Sequence, residues 1–273
     1  MTPVRFVKLT AIAATALALA GTVAASPAAT PMGAAAGSRD LRAVAATTTP
    51  PTNAAKIFKW GNAQFKDEFV TPLQSMWVVN QPGTVRDQHG MLTLDATSGT
   101  VTATVAGHLH QYGRWEARVR ARQYGTGHTP YRVLWELVPS GPEHCSARNI
   151  ILSDYTLGTN QATMHARNLP DVEYTASKDL ALSNDEFHTY AVEVTPDHIS
   201  WFVDTSVIMT ERRDTARTGA NYTVRFRLYG PAGRTMNKGR MQMDWVRFYT
   251  LDRPNAKPIT APQATLGTYG SAC

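Results

Sequence analysis

From residue 56 onward the chain alternates apolar and polar side chains with a period of two. That is the repeat of a strand with one face turned to a core. Leu92-Thr93-Leu94-Asp95 alternates in this way, and so does Val101-Thr102-Ala103-Thr104-Val105. Trp115, Ala117 and Val119 point one way while Glu116, Arg118 and Arg120 point the other. Tyr190-Ala191-Val192-Glu193-Val194, the turn Thr195-Pro196-Asp197-His198 and Ile199-Ser200-Trp201-Phe202-Val203 predict a hairpin. Residues 223–228 and 241–249 add further strands. No amphipathic stretch of helical period competes, and there is no internal repeat. Short strands separated by turn clusters predict an all-β, two-sheet antiparallel sandwich.

The first 55 residues follow another logic. Arg5 and Lys8 precede an apolar run, Leu9 to Ala24, and Val23-Ala24-Ala25 supplies the small residues a signal peptidase needs. The expectation is a signal peptide over 1–25, hence a secreted or cell-wall-associated protein with no membrane anchor after cleavage. The run is short for a membrane span, and no later stretch is long and apolar enough for one. Residues 26–55 are Ala, Pro, Thr, Ser and Gly with almost no large apolar side chain. They read as a disordered linker, because such a stretch buries too little surface to offset its ordering entropy. The folded domain is then expected over 56–252, followed by a C-terminal tail, 253–273.

Charge and cysteines narrow the setting. The formal net charge is +6, of which Arg5 and Lys8 leave with the leader. A basic exported protein is either held near an anionic cell wall or simply soluble. No block of Lys and Arg with interleaved aromatics points to nucleic acid. Two cysteines, Cys145 and Cys273, permit one intramolecular disulfide in an oxidising compartment. Free thiols or an intermolecular bridge are the alternatives. His108-x-His110 sets two imidazoles on one strand face, but no third ligand follows, so neither metal nor cofactor is expected. A monomer is expected.

Three segments carry a more specific signal. Tyr112-Gly113-Arg114-Trp115-Glu116-Ala117-Arg118-Val119-Arg120, the hairpin running from Phe187 to Asp204, and Asp244-Trp245-Val246-Arg247-Phe248-Tyr249 resemble, in order, signature strands of glycoside hydrolase family 16. Phe65-Lys66-Asp67-Glu68-Phe69 resembles the family's opening segment. The resemblance spans most of the domain and implies a concanavalin A-like jelly roll. It also implies retaining cleavage or transfer of β-linked polysaccharides by three carboxylates on one strand, E-x-D-x-x-E. A retaining glycosidase needs a nucleophile and an acid about 5–5.5 Å apart. Alternate strand residues share a face, and a bulge re-aims the last of the three.

That strand falls between Pro130-Tyr131-Arg132-Val133-Leu134-Trp135 and Met164-His165, where only Arg148-Asn149-Ile150-Ile151-Leu152-Ser153-Asp154-Tyr155 fits. Set on the bulged pattern, Asn149 stands at the nucleophile, Ile151 at the central Asp and Asp154 at the acid/base. No Glu lies between Glu143 and Glu173. Asn cannot form a glycosyl ester, and Ile removes the central charge. Candidate substrate-binding residues are Tyr131 and Trp135, which share a strand face and would stack on pyranose rings, with Asn149, Asp154 and His165 as polar contacts. Arg167, near its strand end, reads as solvated. Three readings remain open. One is a secreted polysaccharide-recognising pseudoenzyme for a β-glycan or cell-wall glycan. The second is an active hydrolase or transglycosylase pairing Asp154 with Glu136 or Glu143, or borrowing a substrate acetamido group. The third is a structural cell-surface interaction domain.

Overall fold

The period-two segments become strands in a computed structural model that describes residues 52–70, 72–81, 84–141 and 146–270. In chain order the strands are β1 (Phe65–Asp67), β2 (Trp77–Val79), β3 (Val85–Asp87), β4 (Leu92–Ala96), β5 (Val101–Val105), β6 (Gly113–Tyr124), β7 (Arg132–Pro139) and β8 (Ile150–Thr156). They continue with β9 (Gln161–Asn168), β10 (Val172–Asp179), β11 (His188–Val194), β12 (Ile199–Val203), β13 (Ser206–Glu211), β14 (Tyr222–Tyr229), β15 (Lys238–Tyr249) and β16 (Thr265–Thr268). One sheet has the order β13-β12-β11-β6-β15-β4-β3, with β1 also on β15. The other has the order β16-β10-β9-β8-β7-β14-β5-β2. Between them lies a core that includes Trp115, Trp135, Trp201, Tyr131, Tyr190 and Phe226. The architecture is the expected two-sheet jelly roll.

The recognisable segments sit together because they form the middle of the first sheet. β6 pairs with β11 on one side and β15 on the other. Arg114 lies opposite Glu193 in that register and forms a buried ion pair with it. The same guanidinium donates through Nη1 to the carbonyls of Thr250 (3.0 Å) and Arg253 (2.9 Å), so both charges are satisfied away from water. Gly113 has a φ of +144°, and an added Cβ would overlap the ring of Phe248 and lie 3.0 Å from the Tyr249 carbonyl oxygen. The glycine is therefore required twice, by backbone conformation and by ring packing.

Both ends of the domain lie beyond the expected boundaries. A short helix, α1 (Ala54–Phe58), is capped by the Asn53 side chain, which accepts from the Lys56 amide at 3.2 Å. It lays Ala54, Ala55 and Phe58, with Trp60, on Ala191, Phe202 and Tyr249 of the first sheet's outward face. The Thr52 carbonyl accepts from Thr189 Oγ1 at 2.6 Å, so the fold already includes residue 52. Residues 253–270 are not a tail. Asn255 accepts from Trp60 Nε1 (2.7 Å) and donates to Glu193, and the carbonyls of Ile259 and Ala264 accept from Thr210 and Arg213 at 2.6 Å. β16 then pairs with β10 and becomes the edge of the second sheet. The segment lacks alternation because side chain–backbone bonds, not ladder pairing, hold most of it. The expected signal peptide, residues 1–25, and both cysteines of the expected disulfide, Cys145 and Cys273, lie outside the described residues. Among the described residues no helix is long and apolar enough to cross a membrane.

Candidate functional site

Strand β8 crosses the second sheet between β7 and β9 with a break in register on both sides. Against β7, Leu134 faces Asp154, Trp135 faces Ser153 and Glu136 faces Ile151. Against β9, Ile151 faces His165 and Asp154 faces Thr163. One extra residue is therefore inserted between Ile151 and Asp154, a bulge at Leu152-Ser153. Leu152 joins the core, and Ser153, opposite the core residue Trp135, is completely buried. The Ile151 carbonyl is reached instead by Trp201 Nε1 from across the core, at 3.1 Å. The bulge restores the outward aim of Asp154. Asn149 shares that side: its Nδ2 donates to Glu136 Oε1 at 3.3 Å.

Two ion-pair groups cover this outward face. In the first, Asp154 takes a bidentate contact from Arg132, and His165 Nε2 lies 3.4 Å from Asp154 Oδ2. His165 Nδ1 is 2.9 Å from Glu173 Oε1, which also accepts from Arg167 Nε at 2.6 Å. Burial alone would raise the Asp154 pKa, but His165 and Arg132 outweigh it and hold the carboxyl below its usual range. The same balance pulls Glu173 down to about 2, against burial, through His165 and Arg167. Burial lowers the His165 pKa, and the two carboxylates more than reverse that, so the imidazole is held cationic to higher pH. In the second group Glu136, fully buried, accepts from Arg225 Nε at 2.8 Å and Arg227 Nη2 at 2.6 Å. An open trough of about 560 Å³ lies over the first group, lined by Arg132, Asp154, Tyr155, Thr156, Thr159, Gln161, Thr163 and His165.

Asn149, Ile151, Asp154 and His165 are thus brought onto one face. Tyr131 and Trp135 are not, and their expected role in the trough is corrected: both are completely buried in the inter-sheet core, with Trp135 stacked on Phe226 at 5.9 Å between centroids. They share a face, as their spacing requires, but it is the inward one; Arg132, Leu134 and Glu136 hold the outward one. Arg167 is half-buried on Glu173 and over the Tyr269 ring, not solvated. His108 and His110 pack on Phe65 and Phe248. The exposed aromatic on the outward side is Tyr229, opposite Arg132 in register and beside Arg227. Glu173, Arg225, Arg227 and Tyr229 were legible only as the polar half of alternating strands, such as Val224-Arg225-Phe226-Arg227-Leu228-Tyr229.

Comparison with known families adds the decisive observation. Residues 72–247 match the model for glycosyl hydrolases family 16, well over half of the chain. The chain belongs to that family. Among solved structures, this family 16 domain is similar to the catalytic domain of an endo-1,3-beta-glucanase (laminarinase) from Thermotoga petrophila, with a TM-score of 0.57 and 16% identity. That alignment covers 70% of this chain and 98% of the other. A laminarinase from Rhodothermus marinus aligns at TM-score 0.55 and 16% identity, over 69% and 97%. LamAcat from Zobellia galactanivorans aligns at 0.53 and 13%, over 70% and 99%. Among curated protein sequences, none matches the chain.

Proposed function

We propose that this family 16 domain is an exported polysaccharide-binding protein that does not carry out retaining hydrolysis. The observation that carries the proposal is the state of the bulged strand. Set on E-x-D-x-x-E, the nucleophile position holds Asn149, a buried amide tied to Glu136, and the central position holds Ile151. Without a carboxylate nucleophile there is no glycosyl-enzyme intermediate. Asp154 stands at the acid/base position, yet Arg132 and His165 stabilise its anion, whereas a general acid must hold its proton until the leaving oxygen takes it. Glu136 is the carboxylate nearest Asn149 and the natural partner for an unorthodox mechanism. It is fully covered and clamped by two arginines, which leaves no approach for an anomeric carbon.

Binding is supported by what the same face keeps: a trough, polar side chains along its length and the exposed ring of Tyr229. The test is the mature domain against a panel of insoluble and soluble polysaccharides, beginning with laminarin and extending to cell-wall glycans. The expected result is saturable binding with no new reducing ends. Release of reducing ends abolished by Asp154→Asn would favour an active enzyme. No glycan binding, together with a co-purifying protein, would favour a structural surface domain.

A further inference from the structure

The outward face around β7, β8 and β14 carries its charges in two layers. In each ion pair the carboxylate lies deeper than the guanidinium. Asp154 is 6% exposed while Arg132 above it is 45% exposed. Glu136 is 0% exposed while Arg225 and Arg227 keep 12% and 18%. The acids therefore hold the arginines from below, and Arg132 is the side chain of the group most open to solvent. This matters for the choice of sugar. A neutral polysaccharide presents hydroxyls, each donor and acceptor, and is best matched by a mixture that includes free carboxylate or amide oxygens. Here the carboxylate oxygens are already engaged by arginines and by His165. What remains to meet a ligand is the Arg132 guanidinium, 45% exposed, and the partly exposed Arg227, planar donors that stay charged at any relevant pH and match carboxylate or sulfate oxygens. Thr102 and Thr104, opposite Arg227 and Arg225, add hydroxyls, and Tyr229 supplies a ring between Arg132 and Arg227. Asp179, exposed at the end of β10 and held by Gln161, limits the cationic region on the far side.

We infer that the polysaccharide taken by this face carries anionic groups, carboxylates or sulfate esters, seated on Arg132 and Arg227. This rests on the binding reading above and adds the chemical class of the ligand. The experiment compares a β-glucan, the same glucan oxidised at C6 to carboxylates, and the same glucan sulfated, all with the full-length exported protein. Binding to a derivative should exceed binding to the parent by about tenfold at low salt and decline as salt rises. The derivative preferred distinguishes carboxylate from sulfate. Arg132→Gln and Arg227→Gln should each remove most of that preference, with folding checked by thermal unfolding. Arg132→Lys should recover it only in part, because the charge survives and the fork does not. Arg86→Gln, on β3 of the other sheet and paired with Asp95, should leave it intact. Equal binding of parent and derivatives would overturn the inference and leave the polysaccharide reading standing. So would an equal loss with Arg86→Gln, which would mean attraction to net charge alone. Binding to none of the three would overturn the inference too, and the wider polysaccharide panel would then decide the binding reading.

Discussion

Replacing Trp135 by Ala separates the inward from the outward face of β7 more sharply than any other single change. The side chain is completely buried, and its ring stacks on Phe226 at 5.9 Å between centroids, within the core between the sheets. Truncation removes an indole from a close-packed interior and leaves a cavity that its neighbours fill only partly, a loss of about 3–5 kcal/mol. For a domain of this size that lowers the thermal midpoint by roughly 6–20 °C. Among the described residues the indole Nε1 has no hydrogen-bond partner, so Trp135→Phe chiefly forfeits packing. It keeps a ring against Phe226 and should lose only about 1–2 kcal/mol. Urea titration gives both differences, with the slope unchanged if the denatured state is unaffected. Polysaccharide affinity, measured well below the midpoint, should match wild type for both variants, because the ring points away from the trough. A drop in affinity with no loss of stability would refute this and return Trp135 to the binding face.

Other expectations concern the first sheet and the ends of the domain. Glu116, buried beneath α1, has its pKa raised by burial to about 7, with the Ala55 and Ala54 amides offsetting only part of the rise. An acid whose folded pKa exceeds its unfolded value stabilises fully below about pH 4.5 and loses that contribution as pH climbs through 7. The loss is at most about 3 kcal/mol, so wild type should weaken between pH 5 and pH 8 and Glu116→Gln should flatten the profile in chemical denaturation. Gly113→Ala should destabilise by several kcal/mol, as expected for overpacking combined with an unfavourable φ, measured by the same titration. Arg114→Ala leaves buried Glu193 with only His198 and Asn255 in place of its guanidinium and should cost about 3–5 kcal/mol, with α1 and residues 253–256 showing the first loss of amide protection.

The sequence made the strands and the family readable because alternation and turn chemistry are local. The bulge in β8 followed from resemblance, since the extra residue is visible only against the pairing of β7 and β9. The faces of β7 were harder. That strand is buried along most of both sides, so Tyr131-Val133-Trp135-Leu137 and Arg132-Leu134-Glu136-Val138 compete, and large aromatics drew the eye to the wrong row. Arg132 and Glu136 marked the outward row, but their meaning depends on register: Glu136 is opposite Arg225, and Leu134 is opposite Asp154 and Arg227. Such cross-strand pairs join residues far apart in sequence. The C-terminal segment escaped for a similar reason, because bonds from Asn255, Thr210 and Arg213, not a period, keep it on the sandwich.

The central claim is that a face built for a glycan remains while the chemistry of β8 is gone. Its most direct test is turnover on the polysaccharide that binds most tightly, at saturation, followed by chromatography of released oligosaccharides from wild type and Asp154→Asn. The account predicts no release above the rate without protein, for either form, while the bound polymer stays intact. Sustained release by wild type with retention at the anomeric carbon, lost in Asp154→Asn, would contradict it and mean that a carboxylate on this face, or an acetamido group of the substrate, acts as nucleophile despite Asn149.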